Sequence, residues 1–322
     1  MKLVQYFDGH IIINLFGLII RIRMDSKVKI HKINSYGLNK ELKRYRPIVV
    51  SLTSFPERIN IVVKTIETLL NQTLKPDMVI LWLASEQFPN KEQDLPRELL
   101  ELTKLGLTIN WCENLRSYKK IIPALKNYPD SIIVTVDDDI YYASDTLESL
   151  YKSYLEYPNE IHAHRCDWLT VKQRDEKNKN TTSLINDNIG SNLIITWDKT
   201  KELFKDKHKG ESSYRLRLTG YGAVLYPPNS LSKEVLNVEL FTKIIPTHDD
   251  VWLWAMALLN GTRTRLVKGY SESINYVENS QKYGLCKINK KGVGIGLEEA
   301  YARMVKVYPE IMEILIKEQN KK

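Results

Sequence analysis

A chain of 322 residues that is 43% apolar, with 14 Gly and 12 Pro, has the makeup of a globular protein with a full core, which excludes disordered and low-complexity classes. Its net charge of +8 favours anionic partners such as nucleotides, nucleic acid or an anionic membrane surface, without choosing among them. Cys112, Cys166 and Cys286 are odd in number and lack CxxC spacing, which argues against a disulfide framework or a zinc cluster and fits a reducing compartment.

The first distinctive stretch is an apolar run over 11–20 (Ile-Ile-Ile-Asn-Leu-Phe-Gly-Leu-Ile-Ile) followed by Arg21, Arg23 and Lys27. It is too short to span a bilayer and lacks the small-residue cleavage site of a signal peptide. The expectation is a helix, lying either in the membrane interface or on the domain's own surface, with the basic flank favouring the membrane. That reading makes the protein cytoplasmic and peripheral on the inner face of the cell membrane.

After a polar, Lys-rich connection over 35–46, Pro47 introduces a buried strand over 48–52, which runs into Thr53-Ser54-Phe55-Pro56-Glu57-Arg58. A helix follows from about Asn60, with Ile61, Val62, Ile66, Leu69 and Leu70 at helical spacing. The pattern then repeats: a strand over 78–83, and a helix opened by Pro96 with Gly106 suited to its C-cap. A third strand over 107–111 and a short helix over 121–126 lead to a fourth strand over 131–136. Such alternation is that of βαβ units on a parallel sheet.

The fourth strand organises the chain. Ser131-Ile132-Ile133-Val134-Thr135-Val136 is a β-branched run of the kind that forms a central strand covered on both faces, and it drives straight into Asp137-Asp138-Asp139. In open α/β sheets ligands bind at this carboxyl end of the strands. Three adjacent carboxylates repel one another and raise one another's pKa unless a cation is present, which points to a hard divalent metal.

Downstream, Asp145-Thr146-Leu147-Glu148 has the spacing of a capping box that starts a helix through Leu155. His162, His164 and Arg165 end a strand and are candidates to line the site. The Lys/Asn-rich stretch 172–188 reads as a long loop. Ile194-Ile195 and 223–226 are short strand candidates around a Gly220-Tyr221-Gly222 turn. Asp249-Asp250 open an apolar helix that ends near Gly261, and a basic, Gly-rich segment over 287–296 precedes a final amphipathic helix through Leu297, Ala300, Met304, Tyr308 and Leu315. Gly220, Tyr221 and Gly222, with Trp252 and Trp254, are candidates for a ligand-contacting face. The two tryptophans lie two residues apart, so they cannot share a helix face and at least one belongs to the core. Trp82 and Trp111 read as core.

On Val134-Thr135-Val136-Asp137-Asp138-Asp139, Asp249-Asp250 and the strand end Ser51-Leu52-Thr53-Ser54, the chain resembles GT-A type, DxD-containing, family-2-like glycosyltransferases of bacterial surface polysaccharide biosynthesis, over roughly residues 47–270. The resemblance implies an α/β GT-A fold: a Rossmann-like, mostly parallel central sheet flanked by helices, with C-terminal acceptor-side elements. The division it implies is a nucleotide-sugar half over 47–142 and an acceptor half over 143–270. Residues 1–46 are then an appended membrane-associating segment with its connection, and 271–322 a basic loop and helix.

It further implies Mn²⁺ or Mg²⁺ ligated by Asp139 and Asp137, with Asp137 also on the ribose side of the donor and Asp138 helping to position it. Thr53, Pro56 and Arg58 would border the nucleotide base, with Glu113 as a further contact. Arg116, Lys119 and Lys120 follow the third strand and would reach the diphosphate or donor hydroxyls. One of Asp249 and Asp250 would take the proton of the acceptor hydroxyl, with Asp250 preferred. His248 precedes that pair and no His follows it, so the C-terminal His that some such enzymes use as a metal ligand has no match here.

The activity this implies is transfer of a hexose or N-acetylhexosamine from a nucleotide sugar, UDP-linked, to a saccharide acceptor on a lipid carrier. The setting is capsule, lipopolysaccharide or O-antigen synthesis, with inversion at the transferred carbon; a retaining transferase of the same fold is the alternative. A sugar-phosphate nucleotidyltransferase uses a similar sheet but carries a Gly-rich basic signature after the first strand, and 51–58 has no glycine. A nucleic-acid module would show aromatics at RNP-like spacing, which are not visible, so nucleic acid is not an expected partner.

Overall fold

The structure, a computed structural model, describes residues 2–7, 10–15, 18–23, 37–40, 44–173, 193–197, 210–267, 275–283 and 295–321. The N-terminal run is not a helix. It forms an antiparallel three-stranded sheet of β1 (Lys2–Phe7), β2 (His10–Leu15) and β3 (Leu18–Arg23), in which Phe7 pairs with His10 and Leu15 with Leu18. Isoleucine-rich runs interrupted by Asp8-Gly9 and Gly17 favour short paired strands over a helix, because β-branched side chains lose rotamer freedom in a helix and Gly punctuates it. The interfacial-helix route to a membrane surface is removed with the helix. Among the described residues no helix is long and apolar enough to cross a membrane.

The predicted alternation is present. Strands β4 (Ile48–Thr53), β5 (Met78–Ala84), β6 (Leu107–Cys112) and β7 (Ile132–Thr135) pair in parallel in the order β7-β4-β5-β6. Between them run α1 (Val62–Leu70), α2 (Arg97–Thr103) and α3 (Ile122–Asn127), the last preceded by a 3₁₀ turn over Arg116–Lys120. Gly106 follows α2 at φ +115°, a backbone conformation that favours glycine.

After β7 the chain makes the short β8 (Ile140–Tyr141), then α4 (Thr146–Glu156). Asp145 sits at the N-cap of α4 without a side-chain cap, and no capping box forms: Glu148 instead accepts from Thr73 Oγ1 at 2.7 Å and pairs with Lys152 one turn on. Strand β9 (Ile161–Ala163) and the longer β10 (Cys166–Gln173) follow, so the predicted loop begins in a strand; 174–188 lie outside the described residues. A small antiparallel sheet has the order β11-β10-β13, with β11 (Leu193–Trp197) and β13 (Leu216–Leu218). Together with β12 (Ser212–Ser213), β14 (Val224–Tyr226) and β15 (Thr264–Leu266), the central sheet reaches eight strands in the order β12-β15-β9-β14-β7-β4-β5-β6. It is mostly parallel, with β14 antiparallel to both neighbours, β7 and β9, and β12 antiparallel to β15.

The alternation of side chains along each strand assigns them to two apolar layers. Val49, Ile80, Trp82, Ile133, Val224 and Tyr226 face one layer, closed by α3, by α5 (Val238–Ile244) and by α6 (Asp249–Leu259). Ile48, Val50, Leu52, Val79, Leu81, Ile132 and Val134 face the other, closed by α1, α2 and α4. Helix α6 is buried on all sides, which its almost wholly apolar sequence requires. The predicted final helix is two, α7 (Leu297–Val307) and α8 (Glu310–Gln319), because Pro309 has no N–H with which to continue the first. Both lie on the α6 side, through Ala300, Tyr301, Met304, Ile311 and Leu315.

Candidate active site

The acidic triplet leaves the end of β7 and is divided among three sets of partners. Asp137, about one-third exposed, turns toward Lys120, whose Nζ lies 2.9 Å from Oδ1. Asp138 is buried on the α1 side, where Oδ2 accepts from Ser54 Oγ at 2.6 Å and Oδ1 from Arg58 at 2.6 Å, while Thr65 Oγ1 donates to its carbonyl. Asp139 is buried too, with Oδ2 accepting from Arg58 at 3.1 Å and from Gln281 Nε2 at 2.9 Å. Burial raises the Asp138 carboxyl against the pull of Arg58, and pushes Asp139 up to about 6 against the same guanidinium.

The second acidic pair comes to the same place. Asp249 and Asp250 open α6, and Lys120 Nζ stands 2.9 Å from Asp249 Oδ2, so one ammonium joins the two acidic motifs. Lys120 is aimed there by the 3₁₀ turn after β6, whose last carbonyl accepts from Ser51 Oγ at 2.6 Å; Ser51 in turn accepts from Trp82 Nε1 at 3.0 Å. Burial works against the Lys120 charge, and the surrounding carboxylates Asp137, Asp249 and Asp250 outweigh it, holding the ammonium well above its ordinary pKa.

Asp249 and Asp250 are unequal. Asp249 is buried, which works against its charge, yet Lys120 holds it below the usual carboxylate range. Asp250 is only partly buried; its Oδ1 accepts the Gly220 N–H at 3.0 Å, and burial together with the charge of Asp249 pushes it up to about 7. Gly220 keeps the site's spacing by lacking a Cβ, which would stand 2.5 Å from Lys120 Nζ, 3.2 Å from Asp137 Oδ1 and 3.3 Å from Asp250 Oδ1. Two carboxylates side by side with opposite shifts are the arrangement in which one is a fixed charge and the other exchanges a proton near neutrality.

The remaining predicted site residues distribute as follows. Thr53 Oγ1 donates to the Trp82 carbonyl at 2.7 Å, and Pro56 is exposed at the start of a 3₁₀ turn over Pro56–Arg58. Arg58 is buried and clamps Asp138 and Asp139, with a further bond to the Ser280 carbonyl at 3.3 Å. Glu113 and Arg116 are exposed beyond β6. Lys119 is buried, donating to the Ser54 carbonyl and to Gln87 Oε1 at 2.9 Å, and burial lowers its pKa. His162 and His164 are internal struts rather than site-lining groups: His162 bonds Ser153 and the Tyr157 carbonyl, and His164 bonds Ser149 and the Gly222 carbonyl. His248 bonds the Ile295 carbonyl at 2.8 Å. Trp252 and Trp254 are both core, their indole N–H groups donating to the carbonyls of Val235 and Tyr214. The run 287–291 lies outside the described residues.

Gln281 and the strap that carries it are site residues the sequence did not mark, and Ser54 was marked only as part of a strand end. The strap is β16 (Asn275–Tyr276), paired antiparallel with β8, followed by Val277, whose N–H donates to the Asp139 carbonyl at 2.8 Å. Gln281 lies 142 positions from Asp139, and no local pattern links them.

Among the described residues no group of three or more His, Cys, Asp or Glu side chains is arranged to hold a metal ion. Asp138 is spent on Ser54 and Arg58 through both oxygens, whereas Asp137 and Asp139 each meet their partners through one. Those two carboxylates fit a hard divalent cation whose other ligands are phosphate oxygens and water, and do not make a site closed by protein alone.

No family model matches the chain, and no curated protein does. Among solved structures, the mannosyltransferase PcManGT from Pyrobaculum calidifontis, in complex with GDP-Man and Mn²⁺, is similar over 85% of this chain and 74% of its own, at 14% identity and a TM-score of 0.47. TarS 1-349 from S. aureus is similar over 85% of this chain and 71% of its own, at 13% identity and a TM-score of 0.44. Neither likeness bears on the chemistry of the site.

Proposed function

We propose that the protein is a metal-assisted glycosyltransferase that moves a hexose or N-acetylhexosamine from a nucleoside diphosphate sugar, UDP-linked, to a saccharide hydroxyl, with inversion. We place it in the assembly of a bacterial surface polysaccharide on a lipid carrier. The observation that carries this reading is the meeting of the two acidic motifs on Lys120, at 2.9 Å on either side. Glycosyl transfer needs a place for the leaving diphosphate and, beside it, a base for the incoming hydroxyl; the triplet supplies the first and Asp250 the second.

Asp137 and Asp139 would hold Mn²⁺ or Mg²⁺, which when bound neutralises the charge growing on the diphosphate. The work of the chain itself is positional and protonic. Arg58, Ser54 and Gln281 fix the triplet, and Lys120 sets Asp249 and Asp137 at one spacing. With Oδ1 engaged by Gly220 N–H, Asp250 takes the acceptor proton on Oδ2. As it does so the acceptor oxygen bonds to the anomeric carbon, and the bond from that carbon to the diphosphate oxygen breaks. A base whose pKa is about 7 is well matched to this at neutral pH.

Titration calorimetry with UDP and with GDP, each with and without Mn²⁺, tests the donor side. Metal-dependent binding of one nucleotide is expected, weakened by about tenfold or more in Asp139→Ala, which corresponds to about 1.4 kcal/mol. Equal binding by wild type and Asp139→Ala would remove the assignment.

A further inference from the structure

Next to the triplet lies an aromatic pair that the mechanism above leaves unused. Tyr276 is 40% exposed on β16, directly opposite Ile140 and therefore next in register to Asp139. Its ring centroid is 5.0 Å from that of Tyr221, with the planes at 45°. Tyr221 is the residue after Gly220, whose N–H rests on Asp250 Oδ1. Tyr276 thus stands near Asp139 and touches the ring of a residue whose chain neighbour, Gly220, contacts Asp250.

The Tyr221 ring is held in place from behind. The Arg165 guanidinium lies 4.5 Å over it, a cation–π contact, and Gly222 makes that approach possible: a Cβ there would meet Arg165 Cβ at 2.8 Å and the Arg165 nitrogen at 3.0 Å. Tyr276 shares a hydrogen bond with Tyr221, so the outer ring is tied to the fixed one. A tyrosine face kept partly in solvent near a carboxylate site is a surface that a pyranose recognises, with its apolar C–H face on the ring and a hydroxyl left free for the base.

We propose that Tyr276, backed by Tyr221 and Arg165, is the stacking platform for the acceptor's sugar ring, and that it presents the acceptor hydroxyl to Asp250. This rests on the transferase reading for the role of Asp250, but a saccharide subsite can be measured without turnover. A nucleobase would also stack on tyrosine. The link through Tyr221 to Gly220, whose N–H contacts the hydroxyl-serving Asp250, selects the saccharide.

The test is ligand-observed saturation-transfer NMR on the full chain with methyl glycosides of glucose, galactose, mannose and N-acetylglucosamine, with uridine and guanosine as parallel probes. At least one glycoside is expected to receive saturation on ring C–H protons. Tyr276→Ala should weaken that binding about tenfold while Tyr276→Phe retains it within about twofold, the difference between losing a stacked ring and losing a hydroxyl. Far-ultraviolet circular dichroism and an unchanged melting temperature establish that both variants are folded. Absence of signal from every glycoside, an unaltered signal in Tyr276→Ala, or loss confined to the nucleosides overturns the platform. Calorimetric nucleotide binding that persists in Tyr276→Ala shows the donor side intact, so failure of the platform and failure of the transferase reading give different results.

Discussion

Asp249 and Asp250 are neighbours in sequence with opposite tasks, and what separates them most is direct contact with one lysine. Asp249 has the ammonium of Lys120 at 2.9 Å and stays charged; Asp250 has a neutral N–H at 3.0 Å and a negative neighbour. Asp250→Asn is therefore expected to lower kcat by about 10²–10⁴-fold while nucleotide affinity holds, measured by single-turnover kinetics beside calorimetry. Activity of the wild type should rise with pH through about 7 as Asp250 ionises. Stability moves the other way. A carboxyl whose folded pKa is raised from about 4 contributes stability that is complete below about pH 4 and lost as pH rises through about 7. Asp250→Asn should thus melt higher than wild type at pH 8, with the gap closing toward pH 4. A constant gap across that range would refute the shift. The sequence marked both acids but could not rank them by charge, because Lys120 lies 129 positions from Asp249 and was itself read as a diphosphate contact. Arg58 and Lys119 show the same limit: a basic residue near a crevice looks alike whether it faces a ligand or, as here, a buried carboxylate or carbonyl.

At the scale of elements, what was legible followed from periodicity and what was not followed from pairing. Strands β4 to β7 and their helices lie within a residue or two of the expected spans, because buried strands are continuous apolar runs and the helices between them repeat at helical spacing. The N-terminal strand pairs were missed because an isoleucine run suits either element and the pairing partner is not visible in it. The strap over Asp139 was missed because β16 has two residues and exists only by pairing with β8. The turn Gly220–Gly222 was placed correctly, and its reason is the crowding of Lys120, Asp137 and Asp250 around the missing Cβ. Gly220→Ala should leave the fold standing, since the closest atom is the movable end of Lys120, yet push that ammonium off its two carboxylates. We expect a melting temperature near that of wild type and a fall in kcat of about 10²-fold, the effect of an ångström-scale displacement at a reacting site. Unchanged kcat would separate Lys120 from the chemistry.

For the whole molecule, the site sits where the two apolar layers end together. Asp138 is anchored through Arg58 and Thr65 on the α1 side of the sheet, while Asp137 and Asp249 meet Lys120 on the α6 side. Each layer has its own core, and the two share no residue among those described. Leu69 in α1 and Met256 in α6 are both fully buried, one in each layer. Truncating either to Ala should cost about 2–5 kcal/mol. With no common neighbour, the double variant should show the sum within about 0.5 kcal/mol. Because β4, β5, β7 and β14 contribute side chains to both layers, neither layer can melt and leave the other's strands intact. Urea unfolding followed by tryptophan fluorescence, dominated by the α6-side layer that holds Trp82, Trp168, Trp252 and Trp254, should then coincide with unfolding followed by circular dichroism in all variants. In Leu69→Ala, a circular dichroism transition that precedes the fluorescence transition would mean that the layers come apart separately, and that the site can lose its Arg58 half while keeping its Lys120 half.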